Sequence, residues 1–550
     1  MNNTLRTFFI GTSALGLAIG LSGCGGETES RSAAAPSANI QAADVTEGSP
    51  IDTPFSLKNA ENVSPDDIIA LLTSSEGKAP TYDGAKFDQS LGAVVFDNLR
   101  FSDFDDGEGV LIAKAEFYGI DSGKIDKIKD QSLAALDAPF ATAFQRVRLY
   151  DISAVGLEDE ATFTIGAVDF DTLAIREGGI GHVRDVDAGL QFLNAVSLGG
   201  LYVKDLAFSS GDEDEDANAN VTAPDIRVVG FGDGKLNAVI AKDFQYGGSQ
   251  SNAMLEALGD TDAGSVLSGA LAGVLSIQDQ QTKVGTFEWR NLNAAQALKA
   301  AMAEEDGADQ APVDFGTMLV KDYETSINGK PFSFVEETTI DKALFRGAFP
   351  TEITASIRGS RHDFTAYTGD AEDPLTGLLT ERGLDKVIGS GDLQWLWHDE
   401  KKTGDFLYTA KADNLADIDL SVNLVDLDGQ FSEDGLDNDA KLKSLKFTLD
   451  DDNALDAIFA IAASQTGSSV EQYRTAAPAM IRFSGIQFAE YGPAYLRYLN
   501  AIADFVADGG SLTVSAEPEN AVPLSTLQSN GLEPKSLPTL INLDIVHEEK

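Results

Sequence analysis

The sequence predicts an α+β, β-rich fold: a long, twisted, mainly antiparallel sheet built from bend-punctuated strand repeats, followed by a C-terminal antiparallel meander covered by helices. Three observations predict it. A short alternating pattern recurs between about residues 94 and 293, with its apolar parity slipping by one residue at a fixed polar place. Two alternating runs around Lys401-Lys402-Thr403-Gly404 then form a hairpin signal. Long helix-period stretches follow, closed by two more alternating runs.

The chain opens on Arg6 and a 14-residue apolar run, Phe8 to Leu21, which suits a signal-peptide core and is shorter than the ~20 residues of a membrane-spanning helix. It ends at Leu21-Ser22-Gly23-Cys24, which carries the sole cysteine. Residues 1–23 are therefore expected to be a targeting leader and residues 24–52 a tether. The small and polar residues between Gly25 and Pro50 show no sustained period, and such a segment spans ~25–30 Å as a flexible coil. Ser64-Pro65-Asp66-Asp67 predicts a helix start, with Ser64 as cap, Pro65 in the first helical position and acids at the positive helix end. Ile68, Ile69, Leu71 and Leu72 would form its buried side.

The repeated pattern is apolar, x, apolar, x, Asp or Asn, apolar, x, apolar. It occurs as VVFDNLRF with Asn98 at the polar place, VRLYDISA with Asp151, LYVKDLAF with Asp205, VIAKDFQY with Asp243 and FEWRNLNA with Asn291; VDFDTLAI around Thr172 is a weaker copy. A parity slip within a strand demands a β-bulge or a tight bend, and Asp and Asn tolerate the left-handed backbone such a feature needs. Spacings of about 30 to 50 residues between copies fit strand pairs added in succession to one sheet, with insertions at the turns. Those insertions are the acidic run Gly211 to Asp216, an Ala- and Gly-rich helical stretch from Asn252 to Leu275, and another from Asn293 to Glu305. The β-repeat domain is placed at residues 53–344.

Residues 345–550 form the second lobe. LQWLWHDEKKTGDFLYTAKA supplies the hairpin, Ile418 to Leu424 a third strand and Leu445 to Leu449 a fourth. Helices are expected over Asn453 to Ser464 and Ser469 to Val506, the second interrupted near Gly492-Pro493, with SLTVSAEP and LINLDIVH as closing strands.

Charge narrows the partners. With 40 basic and 88 acidic residues the formal net charge is −48, which excludes nucleic acid and leaves no basic face for anionic lipid headgroups. At 43% hydrophobic residues, with 30 Phe, the chain is too apolar for general disorder. Chemistry has no visible carrier: there is no Gly-x-Ser-x-Gly, His-Glu-x-x-His, phosphate loop or Cys-x-x-Cys, and only four histidines, His182, His362, His398 and His547. His398-Asp399-Glu400 falls in the hairpin loop, where polar residues are ordinary. Asp212, Asp214 and Asp216 have calcium-loop spacing, but Ala217 and Ala223 replace the Gly and the bidentate Glu. No catalytic residue, metal site or cofactor is assigned.

Leu21-Ser22-Gly23-Cys24 after an apolar leader resembles the lipobox of bacterial lipoprotein precursors. The resemblance implies cleavage before Cys24, acylation of its thiol, and, because Gly25 rather than Asp follows, an outer-membrane address facing the periplasm. The bend-punctuated strands look like the periplasmic β-repeat proteins of the AsmA and YdgA type, which implies long curved sheets with an apolar side able to shield lipid chains. The stretches Leu442 to Arg474, Phe505 to Leu527 and Leu540 to His547 resemble a region of uncharacterised secreted alphaproteobacterial proteins. The expected role is non-enzymatic: a membrane partner through the acyl anchor at Cys24, and a lipid-like ligand or envelope protein bound by the sheet. Phe96, Phe101, Leu149, Val203, Phe208, Phe244, Phe287 and Trp289 are the candidate lining side chains. Two readings stand beside it, an envelope scaffold without a cavity and a polysaccharide hydrolase using paired carboxylates.

Overall fold

The computed structural model describes residues 50–58, 60–73, 79–101, 109–121, 139–155, 162–176, 194–210, 219–248, 280–296, 312–327, 329–346, 349–363, 365–368, 374–428, 431–432, 435–436, 440–466, 469–488, 491–528 and 534–549. The leader, Cys24, the tether up to residue 49, the acidic run at 211–216 and the stretch at 252–275 lie outside them, as does most of that at 293–305. Two compact units result, one running to residue 303 and completed by Val313–Gly329, the other built on Lys330–Lys550.

In the first unit, helix α1 (Pro65–Leu72) starts as the sequence predicts, with the Ser64 hydroxyl accepting from the Asp66 backbone N–H at 3.2 Å. Ten strands then pair antiparallel in chain order: β1 (Gly84–Asp88), β2 (Ala93–Phe101), β3 (Gly109–Tyr118), β4 (Phe140–Val155), β5 (Thr162–Arg176), β6 (Val196–Ser210), β7 (Ala219–Gly232), β8 (Lys235–Gly248), β9 (Gln280–Leu292) and, after the two-residue β10 (Val313–Asp314), β11 (Thr317–Ile327).

All six polar places of the repeat have left-handed backbone: φ is 51° at Asn98, 49° at Asp151, 45° at Thr172, 54° at Asp205, 50° at Asp243 and 60° at Asn291. A seventh, Asp322 (φ 52°), sits in MLVKDYET, a weaker copy in which Thr325 stands at the last apolar place. Bends, not bulges, absorb the parity slips. At Asp151 the pairs run Tyr150 to Ala167 and then Ile152 to Ile165, so Asp151 and Gly166 are both skipped and the register is unshifted. Each strand inverts its facing at the same level as its neighbour, so the apolar side stays continuous.

The bends line up across the sheet as two seams. One passes through Asn98, Ala113, Asp151, Gly166, Asp205, Pro224, Asp243, Gly285 and Asp322, the other through Gln145, Thr172, Gly199, Gly230, Asn237 and Asn291. Along the first, each left-handed Asp meets a small residue or Pro224. A Cβ on Gly166 would lie 3.1 Å from the Asp205 Cβ, and one on Gly285 would lie 2.8 Å from the Asp322 Cβ. Glycine is needed there for close approach, since its own φ is not positive.

The second unit carries β12 (Lys330–Arg346), β13 (Phe349–Asp363), helices α2 (Thr365–Thr368) and α3 (Pro374–Thr380), β14 (Lys386–His398), β15 (Thr403–Ala412), β16 (Ala416–Val425), the short pair β17 (Phe431–Ser432) and β18 (Gly435–Leu436), and β19 (Lys441–Asp451). Helices α4 (Ala454–Thr466), α5 (Val470–Phe488) and α6 (Pro493–Asp508) follow, then β20 (Gly510–Ala516), β21 (Val522–Pro523), α7 (Leu524–Gln528), α8 (Leu537–Leu540) and β22 (Leu543–Glu548). The sheet runs β12, β13, β14, β15, β16, β19, β20, β22, antiparallel throughout. The expected hairpin is β14 and β15, with Lys402 in the left-handed turn position (φ 49°). Trp397 is buried at its end, donating to the Leu427 carbonyl at 3.0 Å and facing the Phe349 ring at 5.5 Å. Helix α6 covers β20 and β22, and its Tyr498 hydroxyl donates to the Leu543 carbonyl. The break before it falls at Gly492-Pro493, as the sequence predicts. The domain boundary differs from expectation: β12 runs unbroken through residue 345, so the division falls at Gly329/Lys330 and not at 344/345.

Candidate ligand-binding face

Between the seams each strand of the first unit presents two side chains to one face and three to the other. On the first face the register aligns two apolar rows across ten strands. One is Phe87, Val94, Phe117, Val147, Phe170, Leu201, Val228, Val239, Trp289 and Met318. Its neighbour is Ala85, Phe96, Ala115, Leu149, Val168, Val203, Ile226, Ala241, Phe287 and Val320. Over β1 to β5 the rows form a core with α1, whose Ile68 is fully buried among Val94, Phe96, Leu99, Ile112 and Phe117. Each such fully buried side chain stabilises the fold by about 1.5–3 kcal/mol. From β6 to β11 the same rows are only half-buried, Leu201 and Val203 of β6 still packing against that core.

All eight predicted lining residues fall on this face. Phe96, Leu149, Val203 and Phe287 share one row and Trp289 stands in the other, while Phe101, Phe208 and Phe244 follow beyond the first seam. They divide by environment. Phe96 is fully buried, edge-on to Tyr82 at 5.2 Å and Phe117 at 5.8 Å, and belongs to the core. Val203, Phe208, Phe244, Phe287 and Trp289 are half-buried on β6, β8 and β9. Trp289 is held by its indole N–H, which donates to the Phe315 carbonyl at 2.6 Å.

The reverse face is charged, which sequence alternation alone did not single out. Glu116, Arg148, Asp169, Tyr202, Arg227, Ile240 and Glu288 face one another across successive strands. Arg148 pairs with Asp169 at 3.1 Å and Tyr118 donates to Glu116 at 2.6 Å, all four being buried. Burial pushes the Asp169 carboxyl up against the pull of Arg146 and Arg148, and burial with the Glu116 carboxylate pushes the Tyr118 phenol far up.

Residues 50–57 lie across this charged face as a strap. Lys204 reaches Asp52 at 3.1 Å, Arg148 donates to the Thr53 carbonyl at 3.0 Å, and Phe55 stacks edge-on to Tyr118 at 5.0 Å with the Arg146 guanidinium 4.5 Å from its ring centre. Leu57 then donates to the Leu91 carbonyl at 2.8 Å, and the chain passes round to lay α1 on the apolar face. Pro50–Asp52 is therefore a packed 3-10 turn, not the last part of the tether.

Around the hairpin loop the polar side chains have ordinary partners. His398 meets Asp405 at 3.2 Å at the exposed end of the hairpin, and Asp426 and Asp428 pair with Lys441 and Lys402. Among the described residues no group of three or more His, Cys, Asp or Glu is arranged to hold a metal ion, and no helix is long and apolar enough to cross a membrane. A family model whose description is "Uncharacterized protein" matches residues 409–548, which cover the meander from β15 onward and the helices after it. No curated protein and no solved structure matches the chain.

Proposed function

We propose that the chain is a non-enzymatic, acyl-anchored lipoprotein of the outer membrane, facing the periplasm, whose first unit holds a lipid-like ligand on its apolar face. The observation that carries the ligand reading is the half-buried part of the two rows. From β6 to β11 they present Leu201, Val203, Val228, Ile226, Val239, Ala241, Trp289, Phe287, Met318 and Val320 with no charged side chain among them. Four inter-strand steps at ~4.8 Å give a strip of about 19 Å, the length of one extended long acyl chain. A contiguous apolar surface of this kind on a protein of charge −48 marks a binding site more often than a solvent face. The lipobox at Leu21 to Cys24 supports the anchor, and a chain set beside a bilayer has lipid within reach.

The test uses the chain from Gly25 onward, made without its leader and stripped of lipid. Binding of the uncharged dye N-phenyl-1-naphthylamine, abolished by Val203→Asp and Phe287→Asp together and retained when Asp is placed at the half-buried Leu420 of the second unit, is the expected result. A protein that takes up neither dye nor phospholipid from vesicles overturns the reading. For the anchor, Cys24→Ser is expected to shift the full-length protein from the membrane to the soluble periplasmic fraction; unchanged fractionation refutes it.

A further inference from the structure

On the apolar face of β6, β7, β8, β9 and β11 the side chains beyond the first seam are Leu206 and Phe208, Val221 and Ala223, Phe244 and Tyr246, Thr282 and Val284, and Tyr323 and Thr325. Hydroxyls are confined to three adjacent strands at one end. Tyr246 stands directly opposite Thr282, Thr282 opposite Thr325, and Tyr323 opposite Val284, one step diagonal to Thr282. Thr282 is 2% exposed, and among the described residues its hydroxyl oxygen has no hydrogen-bond partner within 3.5 Å, the Tyr246 hydroxyl interacting with it only from farther off. A buried hydroxyl left unpaired is costly, so such a group marks a place where something else is meant to bond. Tyr246 lies 41% exposed over it, its ring 5.7 Å from Phe244, with Tyr323 and Thr282 as its polar neighbours. Burial and Tyr323 push the Tyr246 phenol up to about 12, so it remains a neutral donor.

Resting on the ligand reading above, we propose that Tyr246, Tyr323 and Thr282 form the head-group end of the apolar strip and receive the ester carbonyl of a glycerolipid. Three neutral O–H groups suit a neutral acceptor. Among the described residues of these strands no Lys or Arg stands on this face, so a free carboxylate would enter without a counter-charge into a strongly acidic protein. The acyl chain would then run across the strands along the rows carrying Phe287 and Trp289, with its ester set beside Phe244. These hydroxyl contacts would thus select the lipid class while the rows bind any chain.

The experiment measures displacement of N-phenyl-1-naphthylamine from the leaderless chain by 1-monooleoylglycerol, oleate and 1-octadecene. Monooleoylglycerol is expected to bind about tenfold tighter than the hydrocarbon, the value of one well-made neutral hydrogen bond. Tyr246→Phe with Tyr323→Phe should erase that preference and leave dye binding intact, and Thr282→Val should reduce it by itself. A preference that survives both tyrosine changes, or oleate binding as tightly as the glyceride, overturns the proposal while the apolar-strip reading stands. Failure of the wild-type chain to bind the dye and all three competitors overturns both.

Discussion

Gly285→Ala should destabilise the first unit although it adds a single methyl in a strand, where alanine is ordinarily favoured by about 0.5–1 kcal/mol over glycine. The new Cβ would lie 2.8 Å from the Asp322 Cβ and 3.4 Å from the Lys321 carbonyl oxygen. Neither neighbour is the free end of a flexible side chain, so the strands β9 and β11 must separate at the seam. Overpacking of this kind costs about 1–3 kcal/mol, leaving a net loss of up to about 2.5 kcal/mol and about 1 kcal/mol at mid-range after the propensity gain. For a unit of this size the mid-range loss corresponds to a fall of roughly 2–4 °C in the transition temperature. Asp322→Gly removes the opposing Cβ and keeps the left-handed φ of 52° accessible. The double variant should therefore recover most of the loss, with a coupling energy of about 1 kcal/mol or more. Scanning calorimetry of wild type, both single variants and the double variant measures it. Gly377→Ala in α3, where nothing lies within 4 Å of the added carbon, is the control and should be neutral or stabilising. A Gly285→Ala protein as stable as wild type, or a double variant with additive effects, would falsify the account of the seam as a line of close backbone approach.

Three further perturbations test other parts of the fold. Arg148→Met should cost about 3 kcal/mol, the lower end for breaking a buried pair, because Arg146 remains 3.2 Å from the abandoned Asp169; chemical denaturation reads it, and a loss under 1 kcal/mol argues against a structural role for the charged row. Phe55→Ala should accelerate amide exchange over residues 53–57 by loosening the strap while leaving the exchange of β4 and β5 unchanged; equal protection in both proteins would show that Phe55 does not pin the segment. His362 is buried with its Nε2 unpartnered, and burial holds its imidazole below the usual 6.5. The unfolded chain therefore takes up a proton that the folded chain refuses, so stability should fall as pH drops from 6.5 towards the lowered native value. His362→Gln should flatten that slope between pH 6.5 and 5, and an unchanged slope would assign the pH dependence elsewhere.

Much of the local structure is legible because it depends on near neighbours. Ser64-Pro65-Asp66-Asp67 caps α1 through contacts within one turn, and Gly492-Pro493 separates α5 from α6 for reasons internal to the backbone. A slip in two-residue alternation reveals a left-handed residue because a buried face and L-chirality leave the chain few other ways to turn over. Asn98, Asp151, Thr172, Asp205, Asp243 and Asn291 could accordingly be found by pattern alone, and Asp322 obeyed the same rule.

Tertiary structure decided what those residues accomplish together. That Gly285 meets Asp322, or that Phe96, Leu149, Val203 and Phe287 stand in one row, depends on register between strands joined by long connections, which alternation within a strand does not encode. The strap over Arg146 and Arg148 was hidden because residues 50–57 have no period of their own and are ordered by the surface they cross. The hydroxyls of Tyr246, Thr282 and Tyr323, far apart in the chain, become neighbours only once β8, β9 and β11 pair, because backbone hydrogen bonding fixes which side chains share a face.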